Sequence, residues 1–193
     1  MKTKFTIALL AVLLTFEINA QTYKIDSAHS TVQVQVERFG VVDVSGRFKD
    51  VQGTLYYNSE DSSQTKADAV IKVVSYDANN IGGESAVKSK AFLDVENYPE
   101  ILFKGSGVVK KEGKQYLIGD LTIHGVTKKI ELPFTIKGPL MDLATQKQSI
   151  AFNASIIINR QDYGIAFDRK LPNGIKLVGN DVKITLLILA IAE

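Results

Sequence analysis

The chain has no cysteine, and that absence removes several chemistries at once. No disulfide staples the fold, no thiolate holds a metal, and no lipid-modified cysteine tethers the product to a membrane. Histidine is nearly absent as well: His29 and His124 are the only 2. They show no His-x-x-x-His spacing and no glutamate adjoins both, so a histidine metal centre has little to build on. Ser27, Ser30 and Ser45 stand outside any nucleophile-elbow pattern. Neither a phosphate loop nor a dinucleotide fingerprint occurs. These gaps imply no metal and no cofactor. Basic residues number 23 against 21 acidic ones, a formal net charge of +2, which lacks the basic footprint of a nucleic-acid binder. Lys110-Lys111 and Lys128-Lys129 read as solvated strand ends rather than a surface for acidic headgroups.

Long apolar runs are also missing. Phe5 to Phe16 is too short for a comfortable membrane span. It follows Lys2 and Lys4 and precedes Ile18-Asn19-Ala20. A basic start, an apolar run and a small residue make a secretory signal peptide. Residues 1–20 are therefore expected to be cleaved after Ala20, leaving 21–193 as one domain in the periplasm or outside the cell. A retained N-terminal anchor is the alternative. Losing Lys2, Lys4 and Glu17 takes one positive charge from the total, so the mature chain is close to neutral. A chain of this size buries about 70% of its extended surface and can build a core without staples.

What is present is a period of two. Val32, Val34 and Val36 alternate with Gln33 and Gln35, and Val51, Gly53, Leu55 and Tyr57 continue after a break. Val70–Tyr76, a run from Ile101, Gln115–Ile123, Lys128–Ile136, Ile150–Ile158 and Val182–Ile188 complete about eight strands. Many strands at short spacing argue for a sandwich or a barrel. Turns are expected at Glu112-Gly113, His124-Gly125 and Asn173-Gly174, with Gly138-Pro139 ending a strand. Pro133, inside an apolar run, belongs at a bulge or an edge, where its missing N–H is tolerated. One helix is expected over Glu84–Phe92, Leu140–Gln148 reads as irregular, and Ser59–Lys66 as a solvated loop. The segment Leu186–Ala192 is apolar on both faces. It calls for the barrel interior on one side and, on the other, the chain's own helix or a second subunit. A filled barrel and a hollow one remain equally open on these residues.

The segment Gly119-Asp120-Leu121-Thr122-Ile123-His124-Gly125-Val126-Thr127-Lys128 closely resembles the signature of the YceI-like family of periplasmic lipid-binding proteins. Further stretches extend the resemblance: Asp26–Ser30, Gly46-Arg47-Phe48, Gly53-Thr54-Leu55, Lys88–Asp94, Asn97–Phe103, Asn159–Ile165 and Val178–Val182. Their order, behind a signal peptide, is specific over Tyr23 to Ala192. The chain departs from the family pattern at Arg38-Phe39-Gly40, where a His-x-Gly setting is common. It departs again at Gly83–Val87, where an Arg-Asp-x-His-Leu run is common.

The resemblance implies an all-β, extended lipocalin-like antiparallel barrel of about eight strands with one or two short helices. It implies a non-enzymatic carrier that sequesters a long apolar amphiphile: a polyisoprenoid, an isoprenoid quinone or a fatty-acid-like chain. It also brings a homodimer into consideration and requires no stable membrane insertion after cleavage. Residues two apart on a strand share a face, which assigns Val32, Val34, Val36, Ile130, Leu132, Phe134, Ile150, Phe152, Ile156, Ile184 and Leu186 to the interior. Val34, Val36, Leu132, Phe134, Phe152, Ile156, Ile184 and Leu186 are the candidate ligand contacts. Arg160, Asp162 and Tyr163 offer a polar mouth; the plainer reading is an Arg160–Asp162 pair that organises a loop. Two other classes compete: an enzyme using His29 or His124 as acid/base, and a filled barrel serving as an interaction module. N-terminal mass analysis of the exported protein is expected to give Gln21 as the first residue. A product that keeps Met1–Ala20 in the membrane fraction overturns the export reading.

Overall fold

A computed structural model describes residues 21–193, and the expected signal peptide lies outside the described residues. The strands are β1 (Gln21–Ile25), β2 (Thr31–Arg38), β3 (Val42–Phe48), β4 (Val51–Tyr57), β5 (Lys66–Lys72) and β6 (Tyr76–Asp77). After helix α1 (Ile81–Lys88) come β7 (Glu100–Lys111), β8 (Lys114–Ile123), β9 (Val126–Asp142), β10 (Lys147–Asn159) and β11 (Val178–Ala192). Neighbours pair in the order β1-β4-β5-β7-β8-β9-β10-β11, and β11 returns to β1, so eight antiparallel strands close into the expected barrel. From β11 the sheet also continues through β2 and β3 to β6.

The arrangement is simpler than eleven strands suggest. β1 and β2, β3 and β4, and β5 and β6 are consecutive parts of three long strands, the first two broken near the middle and the third close to its end. The breaks lie side by side, and each would orphan backbone groups that must find partners. Side-chain hydroxyls take them up. Ser27 Oγ donates to the Lys49 carbonyl at 3.2 Å and accepts from the Val51 N–H at 3.3 Å. Ser75 Oγ donates to the Lys72 carbonyl at 2.6 Å and accepts from the Asp50 N–H at 3.1 Å. Ser30 Oγ both donates to and accepts from the backbone of Leu189, at 3.2 and 3.0 Å. The Asp26–Ser30 motif is thus a backbone joint.

Below this seam the barrel is closed at its base, where Tyr23, Ile150 and Ala190 are almost fully buried and stand off the cavity wall. Above it, β7 begins opposite Lys72, at the top of β5, while β6 pairs only with β3. The chain from 78 to 99, carrying α1, connects β6 to β7.

Several local expectations are corrected. The helix starts at Ile81, because Asn80 caps it: Asn80 Oδ1 accepts from the Gly83 N–H at 3.1 Å. It ends at Lys88, where Ser89 Oγ donates to the Ala86 carbonyl at 2.7 Å. Val70–Tyr76 is interrupted by a 3₁₀ turn over Val73–Ser75. Gly138-Pro139 does not end a strand. β9 continues to Asp142 through a register shift opposite Ser149–Ala151, and most of Leu140–Gln148 is strand around a short turn. Thr65 is fully buried, its hydroxyl donating to the Ser62 carbonyl at 2.7 Å, so that loop is not wholly solvated. Val42–Phe48 is a strand absent from the expected set, although Val42, Val44 and Phe48 alternate with Asp43, Ser45 and Arg47. Pro133 stands one residue past the end of the β9–β10 ladder at Phe134, an edge position as expected. The outer face of β11 is not covered by α1: Leu187 there is 42% exposed.

Gly53 shows how tightly β4 and β5 approach. Its φ is +150°, and a Cβ there would collide with the Asp68 carbonyl oxygen and lie 2.9 Å from the Ala69 Cα. Gly53→Ala is expected to cost about 2 kcal/mol through clash and backbone strain, read as a lower urea midpoint with an unchanged m-value.

Candidate functional site

The barrel encloses a cavity that crosses the seam, from Arg38 and α1 above it to Leu55, Ala67 and Leu117 below it, with a volume of about 720 Å³. That is within the range typical of small-molecule sites, roughly 300–1,000 Å³. Its walls are the inward rows of the long strands. Of the eight candidate contacts, Val34, Val36, Leu132, Phe152, Ile156, Ile184 and Leu186 face it, as do Val32 and Ile130. Phe134 does not: it is 5% exposed, paired with Gln115 near the β7–β8 turn, and stacked on Phe152 with ring centroids 5.2 Å apart. Ile150 is buried in the packed lower half, away from the cavity wall. The outer members of the same strands, such as Gln33, Gln35 and Glu37 on β2, are exposed, as a two-residue side-chain period demands.

The remaining wall comes from α1 and the segment after it. Ala86, Val87, Phe92 and Leu93 face the cavity. Phe92 packs on Phe167, with centroids 4.9 Å apart. The backbone N–H of Leu93 donates to the Val87 carbonyl at 3.0 Å and that of Val95 to Lys88 at 3.1 Å. This segment was expected only as a helix. Its Phe92-Leu93 pair was visible in the sequence, but the irregular backbone that turns both inward was not.

Arg160 reaches the cavity wall yet is 3% exposed. Its guanidinium donates to the carbonyls of Gly179 (2.9 Å), Ile165 (2.7 Å), Phe167 (2.6 Å) and Val178 (3.3 Å), and to Asn180 Oδ1 (3.1 Å). Burial lowers its pKa, and Asp168 opposes that shift. The expected Arg160–Asp162 pair does not form. A planar fork with five N–H donors is satisfied better by converging carbonyls than by one carboxylate; those of Val178 and Gly179 lie at the register shift between Val178 and Val182, and those of Ile165 and Phe167 in the loop before β11. Asp162 points outward, 3.9 Å from Lys128. Tyr163 is 2% exposed, and burial raises its hydroxyl pKa. The three residues are therefore dispersed rather than grouped at a polar mouth.

Set against known proteins, the YceI-like domain matches residues 23–190. The chain belongs to the YceI-like family. A UPF0312 protein of Photorhabdus laumondii is 34% identical over 122 residues, 62% of this chain and 63% of that protein. A UPF0312 protein of Pseudomonas putida is 33% identical over 150 residues, covering 76% and 77%. Among solved structures, Burkholderia cenocepacia BcnA superposes with a TM-score of 0.73 at 22% identity, over 86% of this chain and 98% of that one. A polyisoprenoid binding domain from Saccharophagus degradans gives a TM-score of 0.69 at 14% identity, over 90% and 99%. At these identities the structural likeness shows the fold.

Both positions at which this YceI-like chain departs from the family pattern border the cavity: Arg38 on one side, Gly83, Ala86 and Val87 on the other. The histidines do not. His29 has a carboxylate neighbour that the sequence reading overlooked, with its Nδ1 2.7 Å from Asp26 Oδ2, and this contact lowers the Asp26 pKa. The His29 side chain is 72% exposed and outside the cavity wall. His124 opens the signature turn with φ of +50°. Its ring lies 4.4 Å from that of Tyr98. Gly125 follows at +74°, and any Cβ there would meet the Tyr98 ring at 2.6 Å, so the signature turn is a seat for Tyr98. Among the described residues, no cluster of histidine and carboxylate side chains could hold a metal ion, and no helix is long and apolar enough to cross a membrane.

Replacing Arg160 by Met would leave several carbonyls at the cavity wall without a donor. Equilibrium denaturation is expected to show a loss of about 3 kcal/mol. Arg160→Lys is expected to recover only part of it, because an ammonium cannot reproduce the fork.

Proposed function

We propose that this protein is an exported carrier that holds the tail of a long apolar amphiphile inside its barrel. The observation that carries the reading is the cavity: about 720 Å³, walled by aliphatic and aromatic side chains, within a barrel closed at its base. A polyisoprenoid, an isoprenoid quinone or a fatty-acid-like chain is the class of guest we assign to it. An apolar tail gains about 25 cal/mol for each Å² removed from water, before the cost of ordering the chain. Membership of the YceI-like family and the fold shared with a polyisoprenoid binding domain support the same class.

The competing classes have less behind them. An acid/base enzyme would need a titratable group at the cavity, and neither His29 nor His124 faces it. A filled-barrel interaction module is opposed by the cavity itself. The carrier reading includes release into the periplasm or the medium, supported by Lys2, Lys4 and the apolar run ending before Ala20. It includes a homodimer as the assembly, with the exposed outer face of β11 around Leu187 available for pairing.

Organic extraction of the purified mature protein, followed by mass spectrometry, is expected to yield a long-chain amphiphile. Ile184 lies on the cavity wall and is only half-buried. Ile184→Trp is therefore expected to keep the fold while weakening binding of a fluorescent long-chain amphiphile by at least about tenfold. Wild-type binding in a well-folded Ile184→Trp variant would remove the cavity from the mechanism.

A further inference from the structure

The cavity wall is not electrically neutral. Its charged members are Arg38 and Arg160, and no aspartate or glutamate lines it. Arg160 has its donors committed to five protein acceptors. Arg38 is different. It closes the inward row Val32, Val34, Val36, Arg38 of β2, so alternation aims it at the same interior as the valines, at the end of the row where the strand leaves the barrel. The nearby carboxylates Glu37 and Asp43 pair opposite each other on the other face of the β2–β3 ribbon. Among the described residues no carboxylate lies within 4.0 Å of Arg38. Its guanidinium lies over the Phe39 ring, 4.3 Å from the centroid. Asp168, in the loop between β10 and β11, is already engaged by Lys176 at 2.9 Å.

We propose that the cavity selects amphiphiles with an anionic headgroup, a carboxylate or a phosphate, and that Arg38 receives that group. The proposal deepens the carrier reading and rests on it. A guanidinium presents paired N–H donors that match two oxygens of one carboxylate or phosphate. Arg38 stands exposed at the rim of the apolar wall, where it can meet a headgroup whose tail lies inside. A cationic headgroup meets no counter-charge anywhere on the wall, and an uncompensated charge at an apolar cavity is costly. The expected order is therefore anionic above neutral above cationic for one and the same tail.

The test is displacement of the neutral probe N-phenylnaphthylamine from the mature protein. Oleate is compared with oleyl alcohol and oleylamine, and geranylgeranyl phosphate with geranylgeraniol. At least one anion is expected to displace the probe about fivefold better than its alcohol, and the larger of the two ratios identifies the headgroup. Inorganic phosphate alone is expected to leave the probe bound. In Arg38→Gln the ratio is expected to fall to about one, and in Arg38→Lys to persist in part. Circular dichroism confirms the fold of each variant. Anions and alcohols that displace equally from the wild type, or a ratio that survives in Arg38→Gln, overturn the assignment of Arg38 while leaving the carrier reading standing. Failure of every amphiphile to displace the probe overturns the carrier reading, and this inference with it.

Discussion

β11 pairs along one edge with two different strands, and the barrel depends on that division. Its last residues pair with β1, which closes the eight-strand ring. Its earlier residues pair with β2. Closure hides the sheet edges that would otherwise invite aggregation, but it forces a joint between β1 and β2 and aligned joints in the next two strands. Every joint exposes backbone donors and acceptors inside a packed wall, where an unmet group costs roughly 1–3 kcal/mol. Ser27, Ser30 and Ser75 meet them with hydroxyls that donate and accept at once. These serines are the mortar of the fold.

The same seam marks where the barrel wall changes. Below it, tight strand approach at Gly53 and large buried side chains close the base. Above it, the ladder between the third long strand and β7 is lost, and the space is covered by α1 and the segment to Pro99. That cover is held by Phe92 on Phe167 and by Tyr98 on His124, and the Arg160 guanidinium fixes the loop that carries Phe167 by gathering carbonyls from both of its sides. A buried cation without a paired carboxylate is expensive unless dipoles surround it. The five acceptors around Arg160 supply them, so this residue fixes the shape of the cavity wall.

Much of the barrel was legible in the chain because its signals are local. Side chains alternate along an extended backbone, so rows such as Val32–Val36, Ile150–Ile158 and Val182–Ile188 announced both strands and facing. Turns at Glu112-Gly113 and His124-Gly125 were marked by residues that tolerate positive φ. The helix start was misplaced because Asn80 reads equally well as a loop residue or a cap, and only the Gly83 N–H above it decides. Gly138-Pro139 resembled a terminator because a strand that bulges and a strand that ends use the same residues.

By itself the sequence determined the fold class, the strand rows and the apolar character of the interior, because these follow from chain periodicity and composition. It also determined the family, through motifs in a fixed order. Only the tertiary structure decided that the barrel is solid at one end and hollow at the other, that Phe134 belongs to the solid part, and that Arg160 spends its donors on backbone while Arg38 does not. Those distinctions depend on which strands part company and where, and on which polar groups are left over when they do. They arise from contacts between residues far apart in the chain, such as Arg160 with Gly179 or Ser30 with Leu189, and no local pattern encodes which acceptor a given donor will meet.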